Sequence, residues 1–403
     1  MLVTRAHVIE IAATKDDISF FEQCCGTSRY IFNNGLRLWQ FFYHDIGIKP
    51  NANMIRDFFV HLKRGEENLS GEYIEGELAW MNDMPKSVVQ EAIKDLRDAY
   101  TRFFKKQNRH PKEKRKKDSR RYACVNNDPK TIKVEGKRAW IPKIGWIQLK
   151  EAFRWPGSKM ISLRIKKKGR KWFLVVNAEI EIPDRTYNEN QVVDGAGDLG
   201  LSSAITYGVR QVTIKLVAPK PYKKGLGRLR WLQRELARKQ YGSKNWYQAK
   251  ETLAAYHYHI ACRREDWQHK LTHKMAKQYE LLYLEDLNIE GMMKDPRRAG
   301  AIADVAWGEI RRQLEYKTNV LCVGRFFPST KRCNTCANVQ EVALSERRWA
   351  CVKCGVEHDR DENAKNNIYD EGRRLGAEME DGYRAILPSL VAAKLKYAKY
   401  EKI

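Results

Sequence analysis

The chain has 403 residues, too many for one ordinary hydrophobic core, so two to four domains are expected. Its 75 Lys and Arg against 50 Asp and Glu leave a formal charge of +25 and a pI of about 9.6, a balance that points to nucleic acid or an anionic membrane. No apolar run comes near the ~20 residues of a membrane span, and the start, MLVTRAHVIEI, lacks the long apolar segment of a secretion signal; this sets the membrane and secreted classes aside and leaves a cytoplasmic protein with reduced thiols.

The first eleven residues read as a short strand ending Val8-Ile-Glu-Ile. From Asp16 to about Tyr43 the pattern turns helical, with Ile18, Phe21, Cys25, Ile31, Leu38 and Phe42 near helix spacing. Asp83 before Pro85 marks a second helix start, carried on by Val89, Ile93, Leu96, Tyr100 and Phe103 as a core-facing stripe. Residues 101–121 then hold eleven Lys or Arg against only Glu113 and Asp118. Flanked by Phe103, Phe104 and Tyr122, these cations suit a nucleic-acid backbone better than a bland solvated loop.

From 131 to 182 short runs alternate with turn residues: Thr131-Ile-Lys-Val, Ala139-Trp-Ile-Pro, Trp146-Ile-Gln-Leu, Ile161-Ser-Leu-Arg-Ile and Trp172-Phe-Leu-Val-Val. That spacing predicts a small β-barrel, with Lys166, Lys167, Lys168, Arg170 and Lys171 crowding one turn around Gly169. Pro183 to Glu189 reads as a linker. Beyond it, Val192–Tyr207 predicts strand, turn, strand, and Gln211–Val217 a third strand. Helices follow at about 225–240 and 244–278, a strand at 279–287, a helix at 305–319, a strand at 320–326 and a last helix after Asp361. The order βββ-α-β-α-β-α fits a mixed α/β sheet of ribonuclease H type, and residues 377–403 read as a basic helix or tail.

Cys333, Cys336, Cys351 and Cys354 make C-x2-C-x14-C-x2-C, a spacing that closes a tetrahedral structural Zn2+ site. The other five, Cys24, Cys25, Cys124, Cys262 and Cys322, lack ligand spacing and read as small apolar groups. Three acids stand out by context. Asp198 lies in Gly197-Asp-Leu-Gly at a strand end, Glu285 closes the apolar run Leu281-Leu-Tyr-Leu, and Asp361 lies in His358-Asp-Arg-Asp. Alone, each could be a turn residue, a strand-end surface acid or a helix cap. Together they are the kind of hard oxygen ligands that phosphodiester hydrolysis needs to hold one or two Mg2+ ions. Asp194, Asp286 and Asp359 stand beside them as possible substitutes.

Nearly the whole chain resembles the transposon-associated TnpB family, also called OrfB, itself related to the type V CRISPR effectors. The resemblance runs through Arg29-Tyr-Ile-Phe-Asn, the Pro85–Phe104 helix, the basic Pro111 segment, Gly197-Asp-Leu-Gly, Leu284-Glu-Asp-Leu, Trp307 to Tyr316-Lys317, Phe327-Pro-Ser-Thr, the four cysteines and His358-Asp-Arg-Asp-Glu-Asn-Ala. The last block is the most specific. Two departures are visible: Ala337 follows Cys336 where the family often has glycine, and Asp198 follows Gly-Ala-Gly where an aliphatic residue is usual.

The resemblance implies an RNA-guided endonuclease with a RuvC-type site, its catalytic acids on Asp198, Glu285 and Asp361, working with two Mg2+ ions and leaving 5′-phosphate and 3′-hydroxyl ends. It implies a wedge β-barrel in residues 1–12 and 109–188, a helical recognition domain in 13–108, a RuvC-like domain in 189–328, a zinc-binding insert in 329–357, and the last RuvC helix with a C-terminal tail in 358–403. Lys86, Gln90, Asn126 and Asn127 fall where the family reads a short DNA motif beside the target, chemistry suited to base edges. The implied partners are a guide RNA from the transposon end and double-stranded target DNA, met by a monomer carrying one RNA in the cytoplasm, at the nucleoid of a prokaryote. A compact CRISPR effector or a nuclease-inactive RNA-guided regulator are the alternatives; the regulator would lack the acids.

Overall fold

Strand β1 (Leu2–Glu10) finds its partner far along the chain, pairing antiparallel with β9 (Lys171–Glu181) from Leu2 opposite Glu181 to Glu10 opposite Phe173. The computed structural model describes residues 2–64, 66–67, 73–74, 76–115, 121–181, 192–343 and 346–383, in two units, Met1–Asp184 and Arg185–Ile403.

In the first unit, helix α1 (Lys15–His44) begins at a reciprocal cap: Asp17 N–H donates to Thr14 Oγ1 at 3.2 Å and Thr14 N–H to Asp17 Oδ2 at 2.8 Å. Helix α2 (Ala52–Arg64) follows, then the short pair β2 (Glu66–Glu67) and β3 (Tyr73–Ile74), and α3 (Lys86–Phe104). The sequence reading passed over α2 because only Ile55 and Phe59 of it are buried, although Asn51 Oδ1 caps Asn53 and Met54 at 2.9 and 3.1 Å. Strand β4 (Tyr122–Asn126) pairs with β8 (Lys159–Lys168), giving an antiparallel sheet β1-β9-β8-β4. β5 (Lys133–Glu135), β6 (Arg138–Ile141) and β7 (Gly145–Gln148) form a separate three-stranded meander. One bridge, Ile11 to Leu149, links the two sheets, and Ala139, Ile141 and Ile147 share a core with Leu163, Ile165, Leu174 and Val176.

That core does not stop at the strands. Phe20, Phe21, Cys24 and Cys25 of α1 and Val88 of α3 enter it, whereas Ile31, Phe32, Leu36 and Trp39 of α1 join Ile93, Leu96 and Tyr100 of α3 in a second, helical core. Each long helix therefore serves both bodies. The basic run is partly internal as well. Lys114 N–H donates to Asn33 Oδ1 at 2.8 Å, its ammonium lies 3.8 Å from the Phe32 ring centroid, and Arg37 meets Glu113 at 2.8 Å. Residues 116–120 of that run, the expected linker at Pro183–Glu189 and the tail beyond residue 383 lie outside the described residues.

In the second unit, β10 (Val192–Asp198), β11 (Ile205–Gly208) and β12 (Ile214–Leu216) make an antiparallel run. Helices α4 (Pro221–Ala237) and α5 (Lys244–Gln278) lead to β13 (Tyr279–Glu285), parallel to β10. After α6 (Ile289–Met292), α7 (Pro296–Val305) and α8 (Trp307–Lys317), β14 (Asn319–Val323) adds a second parallel pairing. The sheet order is β12-β11-β10-β13-β14. The hairpin β15 (Arg348–Ala350) and β16 (Glu357–Asp359) precedes α9 (Arg360–Tyr383). One face of the sheet is covered by Leu271, Met275, Ile302, Trp307, Ile310 and Leu314 of the middle helices; the other, through Ala196, Tyr283 and Val323, takes Ile368 and Tyr369 of α9. The sequence reading missed α7 despite its start signal, Asp295 accepting from Arg297 N–H at 3.0 Å with Pro296 in the first turn. Among the described residues no helix is long and apolar enough to cross a membrane.

Candidate active site and metal centre

Strand periodicity sets the first two acids. Side chains alternate along β10, so Asp198 faces the same way as Asp194 and Ala196, toward α9. On β13, Glu285 shares the face of Tyr283. The parallel register places Ala196 beside Tyr283 and Gly197 beside Leu284. Asp198 and Glu285 therefore end neighbouring parallel strands side by side, at the carboxyl edge where open α/β sheets bind ligands. Gly-Ala-Gly explains how β10 sits so close. A Cβ on Gly195 would come within 2.7 Å of the Tyr279 ring, and one on Gly197 within 3.1 Å of Leu284.

Asp361 reaches the same place from the first turn of α9. Asp359 starts that helix: its Oδ1 accepts from the N–H groups of Asp361 and Glu362, both at 3.1 Å, and meets Lys215 Nζ at 2.6 Å. Asp359 is thus spent as a cap, held below the usual carboxylate range, against the pull of burial, by Lys215 and by those N–H groups. Asp361 is flanked by Arg360 Nη2 at 3.6 Å and Arg347 Nη1 at 3.7 Å.

Asp198 feels the other two carboxyls. Asp198 is walled in by protein although its edge reaches water, and burial, then the charges of Glu285 and Asp361, push its proton affinity well up against the pull of Arg360. Burial raises Glu285 too, opposed by a hydrogen bond from the Ser329 hydroxyl. Among the described residues, the four cysteines are the one group of three or more His, Cys, Asp or Glu whose donor atoms all lie within 4.8 Å of one another. The donors of the three acids are hard oxygens, and the buried Thr206 hydroxyl, on the residue opposite Asp198, has no hydrogen-bond partner among the described residues. This set fits Mg2+.

The neighbouring acids have other partners. Asp194 is buried and accepts from Tyr369 at 2.8 Å and Tyr283 at 3.3 Å, with Arg373 at 3.5 Å, which makes it a pin between α9 and the sheet. Asp286 is paired with Arg311 at 2.8 Å and Arg325 at 2.7 Å.

The cysteines form two matched knuckles. Ala337 N–H donates to Cys333 O at 2.9 Å and Gly355 N–H to Cys351 O at 2.8 Å, and Ala337 takes φ +60° where Gly355 takes +72°. The alanine keeps the turn at the cost of left-handed backbone. Sγ atoms approach at 3.7 Å for Cys333 and Cys354 and 3.6 Å for Cys336 and Cys351. A tetrahedron of Zn–S bonds of ~2.3 Å has edges of ~3.8 Å, while a disulfide needs ~2.05 Å. The cluster fits a structural zinc site. His358 Nε2 lies 3.1 Å from Cys333 Sγ and its ring 4.8 Å from Trp349, a packing and orienting role.

What the sequence reading did not foresee is the joint between knuckle and helix. Asn363 Nδ2 donates to Arg332 O at 2.8 Å and its Oδ1 accepts from Asn334 N–H at 3.0 Å. Asn367 Nδ2 donates to Ser329 O at 2.7 Å and Arg332 O at 2.6 Å. Fully buried Lys365 donates to Val209 O at 2.5 Å and Val212 O at 3.3 Å, and burial lowers it to about 8. The Asn-Ala-Lys-Asn-Asn stretch beside Asp361 carried that signal as polar residues inside a helix.

The first unit holds the four candidate motif readers. Lys86 opens α3, exposed. Asn127 Nδ2 lies 3.4 Å from both Gln90 Oε1 and Glu91 Oε1. Asn126, however, is buried, its Oδ1 accepting from Asp128 N–H at 3.0 Å and its Nδ2 lying 3.2 Å from Thr131 Oγ1. Its amide organises the turn after β4.

Two family models match: OrfB_IS605, described as "Probable transposase", over residues 176–295, and "Cas12f1-like, TNB domain" over 307–368. A Streptomyces pristinaespiralis protein named "Putative RNA-guided DNA endonuclease" is 31% identical over 76% of this chain and 76% of its own length. The Escherichia coli K12 protein InsQ, whose name carries the same words, is 28% identical over 87% of this chain and 88% of its own. The Cas12f1–sgRNA–target DNA complex contains a chain with the same fold, TM-score 0.56 at 11% identity, covering 91% of this chain and 99% of that one. With a relative that similar over three quarters of both sequences, and with two models meeting the cysteine and acid blocks, the chain belongs to the TnpB (OrfB) family, related to the type V CRISPR effectors.

Proposed function

We propose that this chain is an RNA-guided DNA endonuclease that cuts double-stranded DNA beside a short flanking motif, encoded by a transposon and guided by RNA from the transposon end. The observation that carries the reading is the meeting of Asp198, Glu285 and Asp361 at the carboxyl edge of two parallel strands, in a family whose relatives bear that name. The sheet of Arg185–Ile403 is then the RuvC-type body and the knuckle a structural insert. Residues 1–12 and 109–188 are the wedge and 13–108 the recognition part, with α1 and α3 shared between them.

Asp198, Glu285 and Asp361 would hold Mg2+. The bound metal supplies an activated water and a partner for the leaving oxygen. Ser329 fixes the rotamer of Glu285, and Arg360 and Arg347 bring positive charge beside Asp361, where a phosphate would lie. Base pairing to the guide supplies sequence choice, as in other RNA-guided systems. Lys86, Gln90 and Asn127 read the flanking motif, and Asn126 holds the turn beneath them. The protein acts in the cytoplasm as a monomer with one RNA.

The test starts from RNA that copurifies with the chain when it is expressed with its flanking DNA. Sequencing should return a transposon-end transcript. A plasmid carrying the matching target beside a randomised flank should be cut in Mg2+ and should return one enriched flank. A repeat-derived RNA would make the chain a CRISPR effector, binding without cutting would make it a regulator, and neither binding nor cutting would overturn the reading.

A further inference from the structure

Helices α4 and α5 run together, touching at Gly225 and Ile260, and their joined end is built unlike an ordinary solvent face. Residues 221–250 contain nine Lys or Arg and one acid, Glu235. Glu235 is taken by Arg238 at 2.9 Å and Lys239 at 3.9 Å. Nearest that end, Arg230, Arg234 and Lys244 are exposed and have no carboxylate partner among the described residues, and Lys223, Lys224 and Arg228, likewise exposed and unpaired there, continue the charge back along α4. A solvated helix normally interleaves acids at four-residue spacing, which lowers self-repulsion; this one keeps the repulsion.

The same end displays rings. Tyr241 is 79% exposed, Tyr247 51% and Trp231 46%. Trp246 sits among them, its centroid 4.8 Å from Tyr241 and 5.2 Å from Tyr247. Arg228 lies 4.2 Å over the Trp231 ring and Lys250 lies 5.0 Å from that of Trp246. The stretch of α5 before Ile260 contributes no buried residue to the core.

We propose that the α4–α5 hairpin end is a second nucleic-acid site, which holds a single-stranded stretch by stacking unpaired bases on Tyr241, Trp246 and Tyr247 while the neighbouring cations bind its phosphates. The unopposed positive charge selects a polyanion. The rings select one whose bases are free, because in a duplex the bases are already stacked on one another. Recognition is sequence-tolerant, since every base offers a π-face. The site uses none of the three acids and stands whether or not the chain cuts DNA.

The test uses the full-length chain, stripped of copurifying nucleic acid and kept in EDTA. Fluorescein-labelled oligo(U) and oligo(dT) of about 12 nucleotides, within the ~4–16 spanned by such sites, are compared with a duplex of the same length by anisotropy. Tyr241→Ala with Trp246→Ala should weaken single-strand binding about tenfold or more, each stacked base being worth ~1–3 kcal/mol, and change duplex binding less than about twofold. Tyr241→Phe with Trp246→Phe, which keeps the rings, should bind single strands as the parent does. A 5-iodouridine oligonucleotide should crosslink to Tyr241, Trp246 or Tyr247. Equal loss on duplex and single strand, no loss on either, loss in the Phe pair equal to that in the Ala pair, or crosslinks only elsewhere would each overturn the proposal.

Discussion

Two aspartates four residues apart on one strand do opposite things. Asp194 is satisfied by two tyrosine hydroxyls and Arg373, whereas Asp198 faces two other carboxyls. The folded, metal-free chain holds protons on Asp198 and Glu285 more tightly than the unfolded chain does, so their ionisation subtracts stability. The subtraction is full above the raised values and vanishes as pH falls below the ordinary carboxylate range. Asp198→Asn should therefore raise the metal-free melting temperature at neutral pH by about 2–4 °C, the shift ~1 kcal/mol makes in a body of roughly 200 residues, and should lose that advantage near pH ~4. Asp194→Asn should lower the melting temperature and leave cleavage standing. Calorimetry at both pH values checks the pair; a stabilising Asp194→Asn would mean the two roles are exchanged. Ala337 makes a separate point. It occupies φ +60° where its twin is Gly355, so Ala337→Gly should stabilise the knuckle by about 1 kcal/mol, read as slower zinc release to a chelator.

Among elements, α9 organises the second unit. It carries Asp361, pins the sheet through Tyr369, and grips the loop before the knuckle through Asn363 and Asn367. Knuckle and candidate site are thereby mechanically joined. Cys333→Ser with Cys336→Ser should release the zinc and cooperatively destabilise the late region, measured as metal content and melting; unchanged values for both would refute the structural-zinc reading. Much of this was legible in the sequence. Paired x2 cysteine spacings, strands of alternating character and acids at strand ends have few structural solutions. The rest was not legible, for physical reasons. Helices α2 and α7 bury few residues, so periodicity is weak there and only their caps, Asn51 and Asp295, announce them. That α1 and α3 each serve two cores, or that Asn126 faces inward, depends on long-range packing that no local pattern encodes.

For the molecule as a whole the charge of +25 is the dominant fact. Some of the 75 cations are engaged within the fold, as Lys114 over Phe32 and Lys167 at 3.2 Å from Glu22 show, but they still outnumber the 50 acids by 25. Guided DNA binding should therefore weaken by roughly 10³-fold or more between ~50 and ~200 mM salt; a flat titration would argue against backbone contact. The most direct measurement is target-plasmid cleavage in Mg2+ by the RNA-loaded Asp361→Ala chain, with its guided DNA binding followed in parallel. Binding should match the parent while cutting falls at least about 100-fold, beyond the 10–100-fold lost when only an outer partner of a metal site is removed. Full-rate cutting by that variant would contradict the site.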